Sequence, residues 1–182
     1  MRGEETQIAG FLAARPDFDG VLCLPGTHTK WVRISAGEIC HFQTVMTGEV
    51  FALLSTQSVL RHSLAAGSVQ IGAGFDAAVA EALSQPHRVW ARLFRLRTAG
   101  LVGQSDPGGA LAWLSGTLIG LDLGAARPYW LGLPIALIGS PYLTALYAAA
   151  LAGQGAVSES IDSAELTRAG LLAAWRKYEE TA

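Results

Sequence analysis

An α/β fold, built on one mixed five-stranded sheet with flanking helices, is the class this sequence predicts. Three observations predict it. Three short apolar runs follow one another near the start, joined by turn signals, and read as an antiparallel meander. From residue 130 onward, strand-like and helical runs alternate, which is the pattern of parallel crossovers. The composition also supports a sizeable core: of 182 residues, 51% are hydrophobic and 15% charged, where soluble proteins carry about 25% charge. That shortfall further predicts apolar surface reserved for an interface, either with another domain or with a second subunit in a homo-oligomer.

Taken in order, residues 8–14 form a short helical run that stops before Arg15-Pro16. Residues 18–24, 31–35 and 38–44 read as three strands, with Gly37 marking the tight second link. Val50-Phe51, Leu53-Leu54 and Val59-Leu60 recur at helical spacing, so 47–61 is expected as one helix. Thr47 would cap it, and Arg61 and His62 would end it. After the glycine-rich connection 67–74 come helices at 75–84 and 87–96, then a link over 97–103. Residues 63–107 together are expected as a helical insertion. In the second of these helices Val89-Trp90, Leu93-Phe94 and Leu96 form the apolar side, and Arg88, Arg92 and Arg95 a solvated face. Residues 108–122 form a further helix whose Ser115-Gly116 permits a close crossing. A strand over 130–138 enters Gly139-Ser140-Pro141, followed by helix 143–151, a short strand at 156–158 and a closing helix over 163–178. The whole chain, 1–182, is one lobe.

The chemistry concentrates in Pro25-Gly26-Thr27-His28-Thr29-Lys30, between the first two strands. Pro-Gly turns the chain, and Gly26 lets backbone N–H groups approach an anion. Thr27, His28 and Thr29 add donors, and Lys30 adds charge. A phosphate cradle and an ordinary decorated hairpin both fit these residues, since the spacing is not that of a Walker loop. Lys30 faces either the phosphates or solvent, and His28 reads as positional. Gly139-Ser140 forms a second site, because a strand leading through glycine into a helix N-terminus is where open α/β sheets hold phosphates or nucleotides. At the very start, Glu4 and Glu5 suit the positive end of a helix, or the work of a general base or metal ligand. Functional groups so close to Met1 predict a further segment upstream.

Other classes are excluded. A net charge of -2 without a basic block excludes nucleic-acid binding. No apolar stretch reaches membrane-spanning length, and no signal peptide precedes the first motif, so a cytoplasmic protein is expected. Cys23 and Cys40 lack CxxC spacing and read as buried, reduced thiols. No Gly-x-Ser-x-Gly elbow or HExxH motif supports a hydrolase.

The order of elements is that of one half of a ribonuclease-H-like, actin-like nucleotide-binding fold, in which two such halves clamp ATP. Three stretches carry a closer likeness: Met1-Arg-Gly-Glu-Glu-Thr-Gln7, Leu24-Pro-Gly-Thr-His-Thr-Lys-Trp-Val32 and Thr44-Val-Met-Thr-Gly-Glu-Val-Phe-Ala-Leu-Leu-Ser55. With Leu118-Ile-Gly120 and Gly139-Ser140, they resemble the 2-dehydro-3-deoxygalactonokinases, over that family's C-terminal lobe only. The resemblance implies ATP-dependent phosphorylation of the 6-hydroxyl of 2-dehydro-3-deoxy-D-galactonate, with Mg²⁺, in galactonate breakdown. It implies Glu4 as general base with Glu5 second, Gly26, Thr27 and Thr29 on the β- and γ-phosphates with His28 and Lys30 beside them, and Gly139 and Ser140 at the adenine–ribose end. It places Thr47, Gly48 and Glu49 in the cleft floor. It implies an N-terminal lobe carrying the first phosphate loop, supplied in cis or as a separate chain. The alternatives are a non-catalytic nucleotide-binding or structural lobe, or a kinase of the same superfamily acting on another sugar or sugar acid.

Overall fold

A computed structural model describes residues 1, 3–104 and 106–181, with the side chain of Thr181 excepted; Arg2 of the opening motif lies outside the described residues. Helix α1 (Glu4–Ala14) leads into the meander β1 (Gly20–Leu24), β2 (Thr29–Ser35) and β3 (Glu38–Val45). Helices α2 (Thr47–Thr56), α3 (Ala73–Ser84), α4 (Val89–Leu101), α5 (Pro107–Ala125) and the short α6 (Arg127–Trp130) follow. The chain then alternates through β4 (Ile135–Gly139), α7 (Pro141–Ala152), β5 (Ser158–Asp162) and α8 (Ser163–Thr181).

The strands form one sheet in the order β3-β2-β1-β4-β5. β1–β2 and β2–β3 are antiparallel, whereas β1–β4 and β4–β5 are parallel. This is the ribonuclease-H-like lobe expected from the sequence. β1 and β4 are buried along their whole length, as central strands covered on both faces must be. Alternate side chains feed two cores. Val21, Cys23, Trp31, Ile135 and Leu137 pack against α3, α5 and α7 through Phe75, Ile119, Leu123, Leu146 and Leu151. Leu22, Leu24, Val32, Ile34, Ala136 and Ile138 pack against α1 and α8 through Ile8, Phe11 and Leu166.

Glycine sets two close crossings. In α5, a Cβ on Gly116 would stand 2.5 Å from the Phe75 carbonyl oxygen of α3, and one on Gly120 would stand 2.7 Å from that of Val79. The close crossing expected at Gly116 is therefore made with α3. Between α1 and α8, a Cβ on Gly10 would collide with the Leu166 carbonyl, and one on Gly170 with that of Thr6. This second crossing fixes where the first turn of α1 sits.

Several boundaries differ from the sequence expectation, each for a local reason. The helix expected over 47–61 stops at Thr56, because the Ser58 hydroxyl donates to the Leu54 carbonyl at 2.6 Å and accepts from the Leu60 N–H at 3.1 Å, starting a 3-10 turn over Val59–Ser63. The link expected at 97–103 is mostly helix, since α4 runs on to Leu101 with Gly100 packed against Ser63. Trp90 and Phe94 lie outward in α4, so its buried line is Val89 and Leu93. Arg88 and Arg95 are solvated as expected, but Arg92 pairs with Glu81. The strand expected from 130 begins only at Ile135: α6 takes Trp130, Gly132 turns with φ 77°, and Pro134 cannot donate to a ladder. The last strand lies at 158–162 rather than 156–158; its polar Ser-Glu-Ser start hides it. Cys23 is buried, whereas Cys40 is exposed on edge strand β3. Among the described residues, no helix is long and apolar enough to cross a membrane.

Candidate active site

β1 and β4 are parallel neighbours, and β1 joins a strand on one side while β4 joins the next on the other, so their carboxyl ends open at a reversal of strand order. A polar groove of about 350 Å³ lies there. α1 contributes Glu4 and Gln7, the β1–β2 turn contributes Pro25, Gly26, Thr27 and His28, and β2 contributes Lys30. β4 ends in it at Gly139, with Ser140 opening α7 and Ser163 opening α8. Glu4, the glycine turn, Lys30, Gly139 and Ser140 are thus brought together from three separate parts of the chain.

The turn is held from behind and open in front. A Cβ on Gly26 would meet nothing within 4 Å. Its glycine is required neither by a left-handed backbone nor by a neighbour in this chain, which leaves backbone approachable from the groove. Behind it, the Glu49 N–H of α2 donates to the Thr27 carbonyl at 2.9 Å, and a Cβ on Gly48 would collide with the Gly26 carbonyl. His28 Nε2 lies 2.5 Å from Glu49 Oε2. Thr47, Gly48 and Glu49 therefore back the turn. α7 presents its N-terminus to the same groove, with Ser140 Oγ accepting from the Leu143 N–H at 3.4 Å and Pro141 at the first helical position.

Two residues expected in the site are elsewhere. β2 starts at Thr29, two residues before the expected strand, and alternation turns Thr29 to the opposite face from Lys30. Thr29 is fully buried, with its hydroxyl 2.8 Å from that of Tyr147, so this hydroxyl is not offered to the groove. Glu5, next to Glu4 on a helix, turns away from the groove and pairs with the Met1 amine at 3.6 Å. Lys30 does not run out to solvent. It is 8% exposed, and its ammonium bonds the Glu4 carboxylate at 2.5 Å and the His28 carbonyl at 3.0 Å.

The sequence reading missed Asp122. It is buried in α5 and accepts from Trp31 Nε1 at 2.7 Å, from the Thr47 hydroxyl at 2.5 Å and from the Tyr147 hydroxyl at 2.5 Å. The Thr29 hydroxyl extends the chain of bonds through Tyr147. β2, α2, α5 and α7 are tied together directly behind the turn. Burial raises the Asp122 carboxyl above its ordinary range, partly offset by the donors from Thr47, Tyr147, Trp31 and Thr29. Burial also pushes up the Tyr147 hydroxyl, with the Asp122 charge adding to it, and the Cys23 thiol, which is thereby inert. The available signal was a lone carboxylate in an otherwise apolar helix. Beside Gly26 a small apolar slot opens between α2, α5 and α7, lined by Phe51, Leu118, Ile119, Tyr142 and Leu143. Among the described residues no three His, Cys, Asp or Glu side chains converge as a metal site.

A family model described as 2-keto-3-deoxy-galactonokinase matches residues 1–174. The chain is 38% identical over 179 residues to "Probable 2-dehydro-3-deoxygalactonokinase DgoK1" of Rhizobium meliloti (strain 1021), covering 97% of this chain and 58% of that protein. It is 35% identical over 156 residues to the 2-dehydro-3-deoxygalactonokinase of Escherichia coli (strain K12), covering 85% and 52%. A crystal structure of a 2-dehydro-3-deoxygalactonokinase candidate from Sinorhizobium meliloti superposes with a TM-score of 0.90 at 37% identity, over 98% of this chain and 60% of that one. Component A of the (R)-2-hydroxyglutaryl-CoA dehydratase of Acidaminococcus fermentans shares the fold alone, with a TM-score of 0.60 at 13% identity over 97% of this chain and 69% of that one. The chain spans little more than half the length of the curated relatives it matches.

Proposed function

Because the chain belongs to the 2-keto-3-deoxy-galactonokinase family, we propose that it is the nucleotide-binding lobe of a kinase that transfers the γ-phosphoryl group of ATP to the 6-hydroxyl of 2-dehydro-3-deoxy-D-galactonate. The observation that carries this reading is the single groove at the carboxyl ends of β1 and β4, where an unobstructed glycine turn, a helix N-terminus and a carboxylate face one space.

Each group has a physical task. Gly26 and Thr27 offer main-chain N–H groups and a hydroxyl to the phosphates, and the α7 N-terminus adds its dipole. Gly139 and Ser140 border the ribose side, where a Cβ on Gly139 would already touch Pro25 and Thr144 at ordinary contact distance. Glu4 takes the proton of the attacking hydroxyl as its oxygen bonds the γ-phosphorus and the bond to the bridging oxygen breaks to release ADP. Mg²⁺ would enter with the nucleotide, since no three His, Cys, Asp or Glu side chains converge to hold it among the described residues, and would supply charge neutralisation during transfer. The sugar-acid pocket and the first phosphate loop belong to a second lobe, in the same polypeptide or in another chain; two copies of this chain remain a further arrangement for the assembly.

Isothermal titration of Mg·ATP into the chain tests the nucleotide reading. Binding is expected, and Gly26→Trp should remove it; unchanged affinity in that variant would exclude the turn from the phosphate site. In the complete two-lobe enzyme, Glu4→Gln should lower kcat by roughly a hundredfold or more, as loss of a general base does, with little change in ATP affinity. An unchanged kcat would remove Glu4 as base. Phosphorylation of another sugar acid in preference to 2-dehydro-3-deoxy-D-galactonate would move the enzyme elsewhere in the superfamily.

A further inference from the structure

Lys30 stands on β2 between the two functional halves of the groove. Its ammonium touches the Glu4 carboxylate of α1 at 2.5 Å and the main-chain carbonyl of His28 in the glycine turn at 3.0 Å. It is nearly buried, and its backbone is locked into ladders with Leu24 of β1 and Thr44 of β3. This pair of bonds joins α1 to the turn, while α2 backs the turn and α8 pins α1. We propose that Lys30 is a positioning residue that couples the general base to the phosphate turn, rather than a ligand of the phosphates.

The argument is one of geometry and charge. An ammonium has three donors directed tetrahedrally, and two of them are committed to protein oxygens. A nearly buried ion pair is held strongly, because separating it leaves a charge uncompensated at low dielectric. Drawing the ammonium out to a triphosphate would strand Glu4 and release the His28 carbonyl together. Kept in place, it fixes the distance between the group that takes a proton and the N–H groups that hold the phosphates, a separation that governs whether the hydroxyl and phosphorus are aligned. The inference rests on the kinase reading for the identity of the two things coupled.

Amide hydrogen exchange and calorimetry on the chain itself test it. In Lys30→Met, the Glu49 amide, which donates to the Thr27 carbonyl of the turn, and the Thr6 amide, which donates to the Gly3 carbonyl at the start of α1, should exchange about tenfold faster, while α5 amides, which report global opening, stay unchanged. Lys30→Arg, which keeps a charge able to bridge a carboxylate and a carbonyl, should restore protection to within about twofold. If Lys30→Met is globally destabilised, the double variant Lys30→Met/Glu4→Gln removes the stranded carboxylate. Its exchange at the turn should equal that of Lys30→Met, since both changes cut one link. Mg·ATP should bind more weakly in step with the loss of protection. Weakened ATP binding with unchanged exchange at the turn would make Lys30 a direct phosphate ligand and overturn the proposal while leaving the nucleotide site intact. If the unmodified chain binds no Mg·ATP, the nucleotide reading falls, and the coupling falls with it.

Discussion

Gly26 and Gly48 meet at one turn, yet their surroundings are opposite. Gly26 faces open space, and its backbone is not left-handed, so alanine fits the folded protein. Gly26→Ala is expected to hold stability within about 0.5 kcal/mol, as surface changes do, while weakening Mg·ATP binding, because a methyl group would stand where phosphate approaches. Gly48 lies against the Gly26 carbonyl, so Gly48→Ala must push the turn forward. We expect a loss of about 1–3 kcal/mol, the usual cost of overpacking, together with weaker binding. Urea denaturation and titration calorimetry on the same two variants separate these outcomes. A Gly26→Ala protein that unfolds early but binds normally would show that the turn glycine serves the fold. Nothing in the order Leu-Pro-Gly-Thr-His-Thr-Lys distinguishes a glycine kept clear for a ligand from one required by a neighbour, because the neighbour, Gly48, lies 22 positions along the chain. Likewise, helical spacing alone does not say which of Glu4 and Glu5 faces the groove; α1, packed on α8 at Gly10 and Gly170, turns Glu4 toward it.

Among the elements, the meander and the β4–α7 unit were legible, since each is written in contiguous apolar runs and punctuated by Pro and Gly. The boundaries that moved did so through contacts made elsewhere, as when Ser58 turned inward to end α2, or through weak apolar signal, as in β5. Asp122 belongs to the illegible part because its partners come from β2, α2 and α7. Its network also gives a pH prediction. Burial raises the Asp122 carboxyl above its ordinary range. Between the unfolded and folded values the native state therefore binds more protons, and the contribution of Asp122 to stability falls as pH rises through that interval. In Asp122→Asn the Trp31 bond survives on the amide oxygen, while the Thr47 and Tyr147 hydroxyls must turn to accept from the amide nitrogen, at about 1–2 kcal/mol for the disturbed bonds. The stability difference, wild type minus Asp122→Asn, should therefore be largest near pH 4 and shrink toward neutrality. Chemical denaturation across that range reads it, and a difference that grows with pH would show that the carboxylate is preferred by its donors over the acid.

For the whole molecule, the groove has one wall: the carboxyl ends of β1 and β4, the turn and the starts of α7 and α8 form a floor, and about 350 Å³ of space lies open above them. Phosphoryl transfer demands that the acceptor hydroxyl, the γ-phosphate and the leaving oxygen lie in line with water kept out, and a floor alone cannot exclude water. Binding and turnover should therefore separate. The chain by itself is expected to bind Mg·ATP through the turn while releasing ADP no faster with 2-dehydro-3-deoxy-D-galactonate than without it. When joined to the remaining two-fifths of a relative such as the Rhizobium meliloti protein, of which this chain covers 58%, substrate-dependent ADP release should appear. Glu4→Gln in the joined protein should suppress it without loss of ATP binding. ADP release from the joined protein that is independent of sugar acid would mark a nucleotide-hydrolysing lobe. Substrate-dependent release from the isolated chain would show that one wall suffices, and the demand for a second lobe would fall.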